Sequence, residues 1–281
     1  MNTITLKKYH GLGNDYLVLD PKKNNIILQP RNVETLCQRN FGVGADGILY
    51  GPIFDGDKIS VQIFNPDGSE AEISGNGIRI FAKYLLDEGY VSSKSFEIYT
   101  NNTPNEIQFL DDDGTNMKVN MGKASFDAKD IPAKDLGEEI INKEVSFNNK
   151  SLKITCLTVG NPHCTIISDE VNSKMAKDIG PYIENASYFP NRINMILLKI
   201  DNRKHITAEV YERGAGYTLA SGSGSCAAAA TCYKLGLIDN QVTVSMPGGD
   251  LIIEIDDDFN IFMTGSVSYI GSITVCENFF A

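Results

Sequence analysis

The sequence predicts an α+β fold made of two similar halves. Three observations predict it. Short runs of alternating apolar and polar residues recur along all 281 residues. Few stretches carry helical periodicity. A set of local patterns recurs at an offset of 147 positions.

The strand candidates are 5–10, 16–20, 47–51, 61–64, 96–100, 117–121, 153–160, 164–168, 195–200, 207–211, 241–246, 251–255 and 261–265. Each is a short apolar alternation bounded by turn residues. The segments 111–116 (DDDGTN) and 255–260 (IDDDFN) read as hairpin loops, where Asp, Asn and Gly favour turn geometry. Three helices are expected. Residues 32–40 open on an Asn and carry an apolar stripe. Residues 77–89 and 225–236 each end at a glycine, a common C-terminal signal. One long helix per half among many strands suggests a central helix wrapped by sheet.

Three pairs of patterns share the 147-residue offset. They are Gly13-Asn14 with Gly160-Asn161, Phe64-Asn65 with Tyr211-Glu212, and Ser74-Gly75-Asn76-Gly77 with Ser221-Gly222-Ser223-Gly224. Solenoid repeats run roughly 20–50 residues, so this period reads as a duplicated domain. The expected division is 1–126, joined by a last strand at about 266–281, and 127–265. This length suits two domains of roughly 100–200 residues.

Composition narrows the function. The chain is 42% hydrophobic and 22% charged, which suits two buried cores. A net charge of −11 argues against a nucleic-acid partner, which needs basic clusters. No apolar run approaches the ~18 residues of a membrane span, and the first residues carry no signal-peptide stretch. Six cysteines show no CxxC spacing, so neither a metal nor a disulfide framework is expected. The expectation is a reduced, cytoplasmic protein that binds a small molecule, with a homodimer left open.

The two serine loops point to that ligand. A Ser-Gly-x-Gly segment opening a helix presents unpaired amides and the positive end of the helix dipole, which suit a carboxylate or phosphate. Arg213 can fork onto a carboxylate, and Asn65, Asn161, His163, Asn194 and Glu212 lie near the same turns. Each feature also has a plain structural reading, as helix cap, surface ion pair or turn residue.

The chain resembles the diaminopimelate epimerases on long motifs in order: 7–16 (KKYHGLGNDY), 41–49 (FGVGADGIL), 64–79 (FNPDGSEAEISGNGIR), 160–164 (GNPHC), 189–194 (FPNRIN) and 212–227 (ERGAGYTLASGSGSCA). The resemblance implies two pseudo-symmetric domains, each a central helix inside a curved, β-barrel-like sheet, with the active site in the cleft between them. It implies LL- and meso-diaminopimelate interconversion in lysine biosynthesis, by two-base proton transfer without pyridoxal phosphate or any other cofactor. By motif, Ser74 and Ser221 take the proton-transfer positions, with Glu212 and His163 near them. Asn14, Asn65, Asn161, Asn194 and Arg213 would hold the substrate, and the amides near Gly75, Asn76, Gly222 and Ser223 would receive developing charge. Two departures stand out. The family pattern has cysteine where Ser74 and Ser221 stand, and glutamate where Tyr217 stands. Alternative readings are a racemase of another amino acid such as histidine, with Tyr217 reshaping the pocket, and an inactive or engineered Cys-to-Ser form that binds amino acids.

Overall fold

The computed structural model describes residues 3–71, 74–148 and 150–280. Glu72 and Ile73, part of one family-like motif, lie outside them. The chain forms two compact units, Met1–Val119 with Gly265–Ala281, and Asn120–Thr264.

In the first unit, strand Thr3–Gly11 pairs antiparallel with Asn14–Leu19 and with Ser268–Cys276. Asn14–Leu19 runs parallel to Ile48–Asp55, which pairs antiparallel with Lys58–Phe64. Lys58–Phe64 runs parallel to Ser95–Thr100, followed by the antiparallel strand Thr103–Phe109. Helix α1 (Pro30–Cys37) buries Val33, Leu36 and Cys37 against Ile4, Leu6, Leu17 and Leu19. Helix α2 (Gly75–Asp87) contacts strands Thr3–Gly11, Asn14–Leu19, Ile48–Asp55 and Thr103–Phe109.

The second unit repeats this order of pairings. Strand Lys150–Thr158 pairs antiparallel with Pro162–Ile167, which runs parallel to Asn194–Asn202. Asn194–Asn202 pairs antiparallel with His205–Glu212, itself parallel to Gln241–Met246, and Gly249–Ile255 follows antiparallel. Helix α3 (Ser173–Glu184) covers one face, and α4 (Gly222–Lys234) contacts strands from Lys150–Thr158 to Gly249–Ile255. The first residues of α2 and α4, and their last residues, are each 147 positions apart. Thr3–Gly11 and Lys150–Thr158 match at the same offset over their whole length.

The central helices are buried almost all round. Every residue of α4 from Gly222 to Cys232 is buried, as is every residue of α2 from Gly75 to Ala82. A helix apolar on every side must be enclosed. Small side chains at Ala227–Ala230 let the sheet close tightly around α4. The expectation of a helix wrapped by sheet therefore holds for each unit.

Several elements differ from the sequence reading. Both central helices begin directly after their serines, at Gly75 and Gly222, two or three residues earlier than the glycine-bounded runs indicated. Helix α3 has no counterpart among the expected helices, because Pro181 interrupts its pattern. The proline is accommodated in the last turn, where Asn185 Nδ2 donates to the Pro181 carbonyl at 2.9 Å. Strands Thr103–Phe109 and Lys143–Phe147 have no counterpart among the expected strands, since each mixes polar residues with few apolar ones.

Helix α3 lies close on the sheet because residue 180 is glycine. A Cβ there would sit 2.3 Å from Tyr211 Cγ. Gly180→Ala should therefore destabilise the protein by about 1–3 kcal/mol despite the better helix propensity of Ala. The urea midpoint measures this, and a stabilised variant would show that α3 can lift from Tyr211.

Candidate active site

In the first unit, Ser74 is extended (φ −142°, ψ 111°) and caps α2, its Oγ accepting the Gly77 amide at 3.0 Å. Residue 77 has little room for a side chain: a Cβ there would lie 3.1 Å from Ser74 Cβ and 3.2 Å from Ser74 Oγ. The first-turn amides that follow Ser74 point out of the helix, at the positive end of its dipole.

A buried chain of hydrogen bonds holds this turn. Arg79, fully buried, donates from Nη2 to Asn76 Oδ1 at 2.7 Å and from Nη1 to the Gly75 carbonyl at 3.2 Å. Asn76 Nδ2 donates to Asn14 Oδ1 at 3.1 Å, and Asn14 Nδ2 donates to Asp46 at 3.0 Å. Arg39 spans Asp46 and Asp15, and Lys8 also meets Asp15. Burial alone would raise the Asp15 carboxyl, but hydrogen bonds from Arg39 and Lys8 outweigh it and hold it below its usual range. Asn14 and Asn76, both candidates from the sequence, are thus brought together with Gly75. Asn65 lies in the turn after Lys58–Phe64, where its Nδ2 donates to Ser69 Oγ at 3.0 Å.

The second unit repeats the cap. Ser221 is extended (φ −140°, ψ 120°), and its Oγ accepts the Gly224 amide at 3.2 Å. A Cβ at 224 would come within 3.0 Å of both Cβ and Oγ of Ser221. Asn161 Nδ2 donates to Ser223 Oγ at 3.3 Å, while Asn161 Oδ1 meets His163 Nε2 at 2.8 Å. Strand pairing sets His163 opposite Asn194. Asn194 Nδ2 donates to the Pro162 carbonyl at 2.8 Å, and its Oδ1 accepts the Arg213 amide at 2.9 Å. Arg213 Nη1 reaches the Asn191 carbonyl at 3.3 Å, and Glu212 ends its strand opposite Gly216. Asn161, His163, Asn194, Arg213 and Ser223 therefore form one linked set beside the start of α4.

His163 is buried, and burial, helped by the positive charge of Arg213, pushes its pKa down to about 3. The imidazole is neutral near pH 7. Its contact with the amide oxygen of Asn161 assigns the proton to Nε2. This environment suits a hydrogen-bonding ring that orients Asn161 better than an imidazolium acid.

The arrangement matches known proteins from end to end. The family model described as diaminopimelate epimerase fits residues 6–127 and 155–270. Diaminopimelate epimerase 2 of Nostoc sp. strain PCC 7120 is 47% identical over 275 residues, covering 98% of this chain and 96% of that protein. The chain belongs to the diaminopimelate epimerase family. The diaminopimelate epimerase of Clostridium perfringens is 39% identical, covering 94% of this chain and 96% of its own. Among solved structures, a probable proline racemase from Agrobacterium radiobacter K84 shares the fold at a TM-score of 0.74 and 13% identity, covering 98% of this chain and 93% of that one. A hydroxyproline epimerase from Agrobacterium vitis does so at 0.73 and 11%, covering 98% and 94%.

Tyr217 differs from the reading of a ring that reshapes the pocket. Its hydroxyl donates to Glu209 at 2.6 Å, and Lys177 of α3 lies 4.4 Å from the ring centroid. The ring packs with Met175, Ile179 and Tyr211 against the core under α3. Burial and the Glu209 hydrogen bond push its pKa up to about 12. The ring is thus committed to holding α3.

Two groups escaped the sequence reading. Arg79 has no partner legible in sequence. The Tyr16 hydroxyl lies 3.2 Å from Ser74 Oγ. The signal for Tyr16 was present: it stands 147 positions before His163.

Two outcomes follow from this geometry. The unfolded chain protonates His163 near 6.5, whereas the folded chain resists protonation down to about 3. The stability this group contributes is whole above 6.5 and is lost as pH falls from there toward 3. Between neutral pH and about 4.5, the urea midpoint should fall less in His163→Gln than in the parent; equal slopes would show that His163 protonates without penalty. Gly224→Ala should push Ser221 off its cap, costing about 1 kcal/mol in thermal unfolding, and unchanged unfolding would show that the cap relaxes freely.

Proposed function

We propose that this protein interconverts LL- and meso-diaminopimelate by removing and returning the proton at one Cα, as a step of lysine biosynthesis in the cytoplasm. Each unit contributes one proton-transfer hydroxyl, Ser74 or Ser221. The observation that carries this reading is the matched pair of caps. In both units a serine oxygen sits on the third amide of a buried helix, with a glycine at that position where a Cβ would crowd the serine. The relatives' names support the choice of substrate.

An amino-acid Cα–H is a weak acid, so its removal needs stabilisation of the charge that flows into the carboxylate. Preorganised amides at a helix start supply this without reorganisation. The first-turn amides of Gly75, Asn76, Gly222 and Ser223 fill that role. Arg213 offers a fork for a carboxylate, and Asn14, Asn65, Asn161 and Asn194 supply amides for the ammonium and carboxylate groups. Glu212, at the strand end beside Arg213, completes the acid/base surroundings, and His163 orients Asn161. No cofactor is needed, because the α-proton moves directly between substrate and side chains.

A hydroxyl is a poorer acid than a thiol, whose pKa of about 8.5 lies close to working pH. The double replacement Ser74→Cys with Ser221→Cys should raise kcat by about 100-fold. The deciding measurement is deuterium uptake at Cα of diaminopimelate in heavy water, followed by chiral separation of the LL and meso forms. Uptake with inversion is expected. Absence of uptake in both the parent and the double cysteine variant would overturn the reading.

A further inference from the structure

The two serines have different neighbours, and the difference assigns a role to Tyr16. Ser74 Oγ accepts the Gly77 amide at 3.0 Å and also meets the Tyr16 hydroxyl at 3.2 Å. Tyr16 lies on strand Asn14–Leu19 and is only 7% exposed. Its ring is seated by Gly47, where a Cβ would fall 2.6 Å from Tyr16 Cε1. The backbone beside it is locked, since the Leu17 amide donates to the Gly47 carbonyl at 3.1 Å. The phenol is thus fixed against the serine by the pleat of the sheet.

The internal repeat sharpens the comparison. Tyr16 and His163 are 147 positions apart, as are Gly47 and Asn194 beside them. In the second unit, the residue at this place turns its polar atom to Asn161. In the first, it turns its hydroxyl to the capping serine.

Resting on the epimerase reading above, we propose that Tyr16 is a positioning and proton-sharing residue that lets a serine serve at position 74. A phenol ionises near ~10, well below an aliphatic hydroxyl, so it can hold the charge that Ser74 alone holds poorly. In the base form, the Tyr16 phenolate accepts a hydrogen bond from Ser74 Oγ–H. As the substrate Cα–H bond breaks, its proton passes to Ser74 Oγ, and the serine's own proton passes to the Tyr16 oxygen. The C–H electron pair stays on the substrate as its carbanion. The reverse sequence delivers a proton from neutral Tyr16 through Ser74 and restores the phenolate. The Gly77 amide stays on Ser74 Oγ throughout and keeps it at the helix start.

The test is a double-mutant cycle on the full chain, with Tyr16→Phe introduced into the parent and into Ser74→Cys. Tyr16→Phe keeps the ring over Gly47 and removes one oxygen; thermal melts of all four proteins check that they fold alike. In the parent, Tyr16→Phe should lower kcat for diaminopimelate about 100-fold with KM within about 3-fold, the scale of general acid–base assistance. In Ser74→Cys, whose thiol supplies its own acidity, the same change should cost less than about 3-fold, a strong non-additivity. A residue needed only for packing would cost the same in both backgrounds. Equal losses, or no loss in the parent, would overturn the proposal. So would Cα exchange confined to the cysteine variants, since the phenol would then not enable the serine. Exchange in none of the proteins, including Ser74→Cys with Ser221→Cys, would instead remove the epimerase reading on which the proposal rests.

Discussion

The geometry of each half depends on one hydrogen bond, from a serine oxygen to the third amide of a buried helix. That bond sets where α2 and α4 begin. It also fixes which amides remain free at the helix start and where the hydroxyl sits relative to them. Glycine at the third position leaves the serine its place, because a Cβ there would crowd it at 3.0–3.2 Å. Cap and turn are therefore built from the same few residues.

Support for the two turns comes from opposite chemistries. Around α2 it is ionic: Arg39 and Lys8 anchor Asp15 and Asp46, and a chain through Asn14 and Asn76 ends on buried Arg79. Around α4 it is largely neutral: Asn161 bonds to His163 and Ser223, Asn194 ties the Pro162 carbonyl to the Arg213 amide, and burial keeps the imidazole uncharged. A buried charge is costly unless well bonded. Arg79 is tolerated because two of its nitrogens are held by Gly75 and Asn76. The pseudo-symmetry is thus one of backbone and caps, while the side chains around each serine have diverged. In the proposed reaction, two hydroxyls in different surroundings suit two steps, one that takes a proton and one that gives it.

Much of the fold and of the candidate site was legible in the chain itself. The repeat could be read because glycines and asparagines at tight turns resist substitution of shape, so Gly13-Asn14 and Gly160-Asn161 mark equivalent corners. The serine loops could be read because cap chemistry is local, decided within four residues. The same locality explains what was missed. Helix α3 contains Pro181 and owes its place to Gly180 under Tyr211, a contact with a residue 31 positions away. Strands Thr103–Phe109 and Lys143–Phe147 are half polar and are held by their partners' backbones rather than by their own pattern.

The sequence by itself determined the fold class, the duplication and the two capped helix starts, because each follows from short-range sterics and periodicity. Only the tertiary structure decided which side chains meet across strands. It placed the Tyr217 ring against α3, joined Arg79 to Asn76 and Gly75, buried His163 into neutrality, and set the Tyr16 hydroxyl on Ser74. Tyr16 and Ser74 are 58 residues apart in the chain. Strand pairing and the space left by Gly47 fix their distance, and neither is written in the local pattern around either residue.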